Sequence, residues 1–215
     1  MPGLVPPLLA TLGINGKVSF LEKSGTSEYA NSTGAYELDL SLVPNFNTAW
    51  RTMHLQTDVF CSAAVVLPDI AGRILNVGGW SLQSTYGIRL YAPDGSAGVN
   101  GTNDWEENPN DMVLQVGLAH TISCIGWSLT CHYYTQTARW YPTACVLSNG
   151  SVVVMGGEVG SNSAASPTLE ILPKVGGLVN LDFLARTNPN NLYPFLMILP
   201  SGGLFCGALE TPDYY

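Results

Sequence analysis

Residues 139–161, RWYPTACVLSNGSVVVMGGEVGS, contain two apolar runs separated by Asn149-Gly150. The first run follows Tyr141, and the second, rich in β-branched residues, ends at Gly156-Gly157. Two such runs around an Asn-Gly pair predict a β-hairpin with a type I′ turn, which requires positive φ at both central residues. The segment therefore predicts a hairpin that is preceded by a tyrosine.

The same plan recurs along the chain, as an apolar run, a tight glycine turn and a second apolar run. The four copies are LATLGINGKVSFLEKSG, AAVVLPDIAGRILNVGGWS, TACVLSNGSVVVMGGEVGS and FLMILPSGGLFCGALET. Their turn glycines are spaced by 56, 78 and 52 residues, at Gly16, Gly72, Gly150 and Gly202. A repeat of about 50 residues is typical of kelch-type propellers, in which each blade is a four-stranded sheet.

Double glycines at 78-79 and 156-157 also favour the propeller, because glycine lets inner strands approach closely. We therefore expect an all-β fold, a kelch-type β-propeller. An unrelated β-sandwich with similar hairpins is the alternative.

Composition restricts the class of protein. Of the 215 residues, 16 are Asp or Glu and 8 are Lys or Arg, so the net charge is −8. A chain this acidic, without a basic run, is not expected to bind nucleic acid or an anionic membrane. No apolar run reaches the roughly 20 residues of a transmembrane helix, and the N-terminal MPGLVPPLLATLG lacks the positive start of a signal peptide. Five cysteines without a CxxC pair argue against a metal finger.

The spacing of 78 residues is longer than its neighbours because of one segment between Gln115 and Ala138, VGLAHTISCIGWSLTCHYYTQT. This segment has no charged residue and no strand alternation. Without residues 116–136 the spacing would be 57, next to the neighbouring 56. Long structureless loops are uncommon in compact domains. We therefore interpret 116–136 as an unstructured insertion or a retained intron, with a genuine surface loop as the alternative.

Cys61, Tyr141 and Tyr193 are predicted to be equivalent positions of three successive repeats. Each lies six residues before the leucine that ends the first strand of its hairpin. In a propeller this position lies near the central axis, so Cys61 and Tyr141 are expected to be neighbours. The plainer interpretation is a small buried cysteine next to an amphipathic tyrosine.

Six motifs follow one another along the chain: VFCSAAVVLPD, GGWSLQSTYGIRLYAPDG, NDWEENP, RWYPTACVLSNGSVVVMGGEVGSN, PTLEILPK and NPNNLYPFLMILPSGG. Together they resemble the N-terminal propeller region of the glyoxal oxidase and galactose oxidase family of copper radical oxidases. The resemblance runs from about residue 12 to 205, interrupted at 116–136. It implies a seven-bladed kelch-type propeller, of which residues 1–215 would form a partial β-propeller with about half of the blades.

The resemblance also implies a catalytic pair. In that family the cysteine of an FCS-type motif is joined by a thioether to the tyrosine of an RWYPT-type motif, which here are Cys61 and Tyr141. Tyr141 would be a copper ligand and the site of a radical. Copper and radical together would oxidise a simple aldehyde, an α-hydroxycarbonyl or a primary alcohol, while O2 is reduced to H2O2. The resemblance implies an extracellular protein, although no signal peptide is recognised in the chain.

The family's remaining copper ligands, a second tyrosine and two histidines, have no matching motif. None of His54, His120 and His132 is assigned to copper, and Tyr193, followed by Pro194 instead of a histidine, is interpreted as structural. We therefore expect a fragment of a copper radical oxidase that is inactive by itself and need not hold copper. The alternative is a non-catalytic kelch-type propeller that binds a protein or a glycan and has no need of a thiol beside a phenol.

Overall fold

The structure, a computed structural model, describes residues 7–23, 34–80, 82–93, 104–107, 135–189 and 192–208. The first sheet comprises β1 (Leu9–Leu12), β2 (Lys17–Leu21), β3 (Gly34–Asp39) and β4 (Trp50–His54). The second comprises β5 (Ala63–Val66), β6 (Ile74–Val77) and β7 (Ile88–Tyr91). The third comprises β8 (Thr143–Val146), β9 (Val152–Met155), β10 (Thr168–Leu172) and β11 (Val179–Asn180). The fourth comprises β12 (Phe195–Ile198) and β13 (Leu204–Gly207).

Helical structure in the described residues is short. The α-helix α1 (Asp182–Arg186) follows the third sheet, and 3₁₀ segments occupy Leu40–Thr48 and Leu82–Tyr86. Strands that are neighbours in a sheet are also neighbours in sequence, and all of these pairs are antiparallel. The expected all-β class is therefore confirmed, as four antiparallel sheets.

The four predicted hairpins are all present, but the turn that joins β8 to β9 differs from the predicted one. The Leu147 carbonyl accepts from the Gly150 N–H at 2.9 Å, and the Leu147 N–H donates to the Ser151 carbonyl at 2.7 Å. Gly150 has φ 85°, whereas Asn149 is not among the described residues with positive φ. The predicted type I′ turn is wrong: the loop has three residues and ends on a left-handed glycine. The Asn149 side chain accepts from the Ser151 N–H at 3.0 Å, which stabilises this longer loop.

Consecutive sheets pack face to face, and β6 contributes to both interfaces. Its four residues are all buried, and the polar one, Asn76, donates to Ser62 Oγ at 2.7 Å. Ile74 belongs to a core shared with the first sheet, whereas Leu75 and Val77 belong to a core shared with the third. The buried members of the first core are Leu21, Ala35, Met53, Leu55, Val59, Ile74, Tyr91 and Trp105. Those of the second are Leu75, Val77, Ile88, Val152, Val154 and Leu172.

The first strands of the four sheets form a continuous series of contacts. Strand β1 packs against β5, β5 against β8, and β8 against β12. The segments that lead into β5, β8 and β12 are therefore brought together on one side of the sheets. These segments contain Cys61, Tyr141 and Tyr193.

Residues 116–134 of the predicted insertion lie outside the described residues. Its last two residues are described and belong to the packed structure: the Thr135 N–H donates to the Tyr86 carbonyl at 2.9 Å, and the Gln136 N–H donates to Glu170 Oε2 at 2.7 Å. In the described part of the chain, no helix has both the length and the apolarity that crossing a bilayer requires.

Candidate active site

Cys61, Tyr141 and Tyr193 occupy the same position in three successive sheets. Each lies two residues before the first strand of its sheet, β5, β8 or β12. All three have left-handed backbone conformations, with φ of 58°, 63° and 50°. The Tyr141 N–H donates to the Cys61 carbonyl at 3.0 Å, and the Tyr193 N–H donates to the Tyr141 carbonyl at 3.0 Å. The predicted equivalence is confirmed, and a backbone hydrogen-bond ladder joins the three residues.

Left-handed backbone is unfavourable for residues other than glycine, at a cost of about 1 kcal/mol or more each. Three such residues in a row, held by one ladder, require support from the surrounding structure. Gly78 and Gly79 contribute to this support because they leave room for neighbouring backbone. A Cβ at Gly78 would lie 2.3 Å from the Arg139 carbonyl oxygen, and a Cβ at Gly79 would lie 2.1 Å from the Asp58 carbonyl oxygen. The double glycine thus lets the segments that lead to Cys61 and Tyr141 lie directly against the end of β6, as the sequence predicted.

The side chains of Tyr141 and Tyr193 meet as well as their backbones. The rings of Tyr141 and Tyr193 are edge to face, with centroids 5.3 Å apart and an interplanar angle of 78°. Burial raises the pKa of the Tyr141 phenol to about 12, and its interaction with the Cys61 thiol contributes to the rise. The pKa of the Tyr193 phenol is also raised, first by burial and then by Cys61. Burial raises the pKa of the Cys61 thiol, although both phenols oppose that shift. The raised pKa values keep both phenols and the thiol protonated at neutral pH.

An aromatic row extends from Tyr141 away from the ladder. Trp140 lies against Tyr141 with ring centroids 4.1 Å apart and an interplanar angle of 33°. Phe60, the residue before Cys61, packs against Trp140 at 6.1 Å and against Trp80 at 6.5 Å. The Lys23 ammonium lies 4.3 Å from the centre of the Trp80 ring. This row covers one side of the Cys61 and Tyr141 pair with rigid apolar surface.

A buried ion pair fixes the chain just before Tyr141. Arg139 Nε donates to Glu170 Oε1 at 2.7 Å, and both side chains are almost fully buried. The same guanidinium donates to the carbonyl oxygens of Gly156 and Thr168 at 2.8 and 3.1 Å. Desolvation lowers the pKa of Arg139, while Glu170 opposes that shift. Because the guanidinium binds both β10 and the end of β9, it fixes the backbone that carries Trp140 and Tyr141.

The chain is similar in sequence to known proteins. No family model matches the chain. A WSC domain-containing protein of Arthroderma benhamiae (strain ATCC MYA-4681 / CBS 112371) is 52% identical over 202 residues, which cover 94% of this chain and 20% of that protein. The aldehyde oxidase GLOX of Vitis pseudoreticulata is 32% identical over 179 residues, which cover 81% of this chain and 28% of that protein. The chain is related to the glyoxal oxidase family of copper radical oxidases.

The chain spans between a fifth and about a quarter of the length of these curated relatives, 20% and 28%. Among solved structures, a fungal alcohol oxidase of the AA5 family in complex with copper matches with a TM-score of 0.46 and 17% identity. That match covers 78% of this chain and 28% of the other.

The described residues include the one side chain that the sequence analysis assigned to copper, Tyr141. The phenol oxygen of Tyr141 is a suitable ligand for Cu(II). Within the described ranges, no three His, Cys, Asp or Glu side chains are grouped so that they could hold a metal. His54 Nδ1 lies 2.6 Å from Asp104 Oδ2 at an exposed position, and His120 and His132 lie outside the described residues.

The sequence interpretation did not predict the ring contact of Tyr193. It interpreted Tyr193 as structural because Pro194 follows it, and the structure adds that its ring packs on Tyr141. The signal that could have found it was already present, since Tyr193 shares the register of Cys61 and Tyr141. The roles of Trp140 and Arg139 in holding Tyr141 had no comparable signal.

Proposed function

We propose that Cys61 and Tyr141 are the precursor of the thioether-linked tyrosine radical of a copper radical oxidase. The observation that carries the proposal is the pairing of these two residues, at the same position before β5 and β8, through the backbone hydrogen bond of 3.0 Å. A thiol and a phenol from different sheets, both at strained left-handed positions, are costly to maintain without a chemical role.

Formation of the cross-link replaces the S–H bond of Cys61 and an ortho C–H bond of the Tyr141 ring with one S–C bond. Two electrons and two protons leave, and O2 accepts them as H2O2. The ortho sulfur donates electron density to the ring and so makes its oxidation to a radical easier. Copper, when bound, would supply one-electron oxidation, with the Tyr141 oxygen among its ligands.

The proposed reaction is the oxidation of a simple aldehyde, an α-hydroxycarbonyl or a primary alcohol. A hydrated aldehyde loses two electrons and two protons to give a carboxylic acid, and O2 takes them up as H2O2. An alcohol gives an aldehyde with the same balance. The name of the Vitis pseudoreticulata relative, an aldehyde oxidase, supports the aldehyde as the first substrate to test.

For the fold we infer a partial kelch-type β-propeller over residues 1–215. The successive contacts of β1, β5, β8 and β12 support it, because the first strands of propeller blades surround the central axis. Cys61, Tyr141 and Tyr193 would then lie at one end of that axis. We also propose that residues 116–136 are an insertion or a retained intron. The protein is proposed to be extracellular and to have no nucleic-acid or membrane partner.

The test of function is peroxide formation by the native protein purified from its source and supplied with copper, over a panel of small aldehydes and alcohols. Aldehyde-dependent peroxide formation is expected, and Cys61→Ser and Tyr141→Phe should each lower it at least a hundredfold, about 2.7 kcal/mol of barrier. Cys145→Ser, which changes a thiol of β8, is the matched control and should retain activity. A protein without peroxide formation would instead favour the non-catalytic propeller that binds a protein or a glycan.

A further inference from the structure

Arg89, in β7, is a fully buried arginine whose guanidinium has five N–H groups to satisfy. Five oxygen atoms accept from it: Thr57 Oγ1, Asn76 Oδ1 and the carbonyl oxygens of Gly78, Ser84 and Asp58, at 2.7, 3.0, 2.5, 3.3 and 3.5 Å. Glu107 Oε2 lies 3.6 Å from Nε, so the buried charge also has a carboxylate near it. Burial lowers the pKa of Arg89 to about 10, while Glu107 and Asp58 oppose the shift, so the group is charged at neutral pH.

Two of these bonds reach the chain just before Cys61. Arg89 Nε donates to the Thr57 hydroxyl, and Nη2 donates to the Asp58 carbonyl. The segment that enters Cys61 is thus attached to the guanidinium at two consecutive residues.

A third bond reaches the chain just after Cys61, through Asn76 of β6. Asn76 Oδ1 accepts from Arg89, and Asn76 Nδ2 donates to Ser62 Oγ at 2.7 Å. Because Arg89 can only donate, these two bonds fix which end of the Asn76 amide faces each partner. Asn76 and Ser62 are both fully buried. The segment that leaves Cys61 is therefore attached to the same guanidinium through one intermediate side chain.

Attachment on both sides matters because of the backbone of Cys61. Its φ of 58° is unfavourable, by about 1 kcal/mol or more, and a segment held at one end only could relax from it. Such a movement would displace the Cys61 carbonyl, which accepts from the Tyr141 N–H. It would also displace the sulfur, and a small displacement of reacting atoms costs much of the rate.

The segment before Tyr141 has a parallel arrangement. Arg139 donates to the Gly156 carbonyl at 2.8 Å, and Gly156 is the first glycine of a double glycine. Arg89 donates in the same way to Gly78, the first glycine of the other pair. Both guanidiniums are fully buried. The second and third sheets thus each contain a buried arginine that binds the end of a central strand.

From these contacts we propose that Arg89 is a positioning residue for Cys61. Its guanidinium holds residues 57–62 from both sides, so that Cys61 keeps its left-handed backbone and its place beside Tyr141. Arg89 acts through the neighbours that it binds and not on the sulfur itself. The inference deepens the proposed function, on which its relevance to cross-linking rests. The bonds that hold Cys61 do not depend on whether a cross-link forms.

The first test measures hydrogen exchange of the Tyr141 amide in the 215-residue chain without metal. This amide donates to the Cys61 carbonyl, so its exchange reports whether Cys61 stays in place. Arg89→Lys keeps a cation but offers three donors in place of five. It should speed exchange of the Tyr141 amide at least fivefold, the factor that corresponds to a net hydrogen bond of about 1 kcal/mol. The Leu147 amide, which donates to Ser151 in the hairpin of β8 and β9, is the reference and should change less.

Arg51→Lys is the matched control variant, because Arg51 is also mostly buried and donates to Glu37 Oε1 at 3.0 Å within the first sheet. It should leave the exchange of the Tyr141 amide, relative to that of Leu147, as in the wild type. An unchanged Tyr141 amide in Arg89→Lys, or equal acceleration of both amides, would overturn the proposal.

Ser62→Ala is the second variant, for the case that Arg89→Lys does not fold. It removes only the bond from Asn76 to Ser62. Faster exchange of the Tyr141 amide than of the Leu147 amide is again expected, and equal or unchanged rates would overturn the proposal.

The second test adds Cu(II) and air to the wild type, Arg89→Lys and Arg51→Lys, and follows the peptide that joins Cys61 to Tyr141 by mass. Arg89→Lys should slow the linkage at least fivefold, by the same conversion, whereas Arg51→Lys should form it at the wild-type rate. Equal rates in the two variants would contradict the assignment. Absence of linkage in all three proteins would count against the proposed function alone, and the amide exchange would still decide the role of Arg89.

Discussion

The amide of Tyr141 donates to the carbonyl oxygen of Cys61 at 3.0 Å, and both residues hold left-handed backbone, with φ of 63° and 58°. This bond joins the segment before β8 to the segment before β5, so the two side chains project from matched positions of neighbouring sheets. In the same way, the amide of Tyr193 donates to the carbonyl oxygen of Tyr141. The site is thus a product of the repeat itself, in which one backbone position recurs three times and carries a cysteine once and a tyrosine twice.

Replacing Gly157 by alanine should destabilise the protein by about 2 to 4 kcal/mol. Gly157 has φ 92°, and an added Cβ would lie 2.6 Å from the Trp140 carbonyl oxygen, next to the candidate site. Gly176→Ala is the matched control, because Gly176 has φ 72° and no heavy atom within 4 Å of the added Cβ. Its cost should be limited to backbone strain, about 1 kcal/mol. Urea unfolding of both variants measures the difference, and equal losses would show that the contact with Trp140 is unimportant.

The Glu170→Gln variant should lose about 3 kcal/mol of unfolding free energy, because it leaves the buried Arg139 guanidinium without its carboxylate. Arg73→Gln breaks the more exposed Arg73–Asp69 pair, at 2.7 Å, and should cost less than about 1 kcal/mol. Chemical denaturation of the two variants in parallel gives the comparison. A Glu170→Gln protein as stable as Arg73→Gln would mean that Arg139 does not depend on this partner.

Ionisation of the Asp58 carboxyl should lower the unfolding free energy of the protein as the pH rises through the range in which this group titrates. Burial raises the pKa of its carboxyl above the ordinary 3.8, although Lys23 and Arg89 oppose the shift. An acid with a raised pKa in the folded state favours folding at low pH, and that contribution is lost as the pH rises from the ordinary value through the raised one.

The measurement for Asp58 is the unfolding free energy of the wild type and Asp58→Asn at a series of pH values from about 4 to 7. The asparagine retains an oxygen that can accept from the Phe60 N–H, which Asp58 Oδ1 accepts at 2.8 Å. The stability of Asp58→Asn relative to the wild type should rise with pH. Asp182→Asn, at an exposed position of α1, is the control for removing a carboxylate. A constant difference for Asp58→Asn would contradict the assigned cause.

Local sequence pattern was sufficient for the strands, the hairpins and the equivalence of Cys61, Tyr141 and Tyr193. These depend on apolar runs, turn glycines and a fixed offset within one repeat. The type I′ turn was wrong because Asn149 uses its side chain to bind Ser151 in a three-residue loop, which the Asn-Gly pair alone does not specify. The Arg139–Glu170 pair and the ring contact of Tyr193 with Tyr141 could not be predicted, because they depend on how the strands and sheets pack and not on local periodicity.

The most direct test of the central claim is a peptide map of the native protein after incubation with Cu(II) in air. The protein is denatured, its free thiols are alkylated, and the digest is searched for the peptides that contain Cys61 and Tyr141. The account predicts one joined species, lighter than the sum of the two peptides by two hydrogen atoms, with fragment ions that place the bond on the Tyr141 ring. Separate peptides, with Cys61 fully alkylated and Tyr141 unmodified, would contradict it.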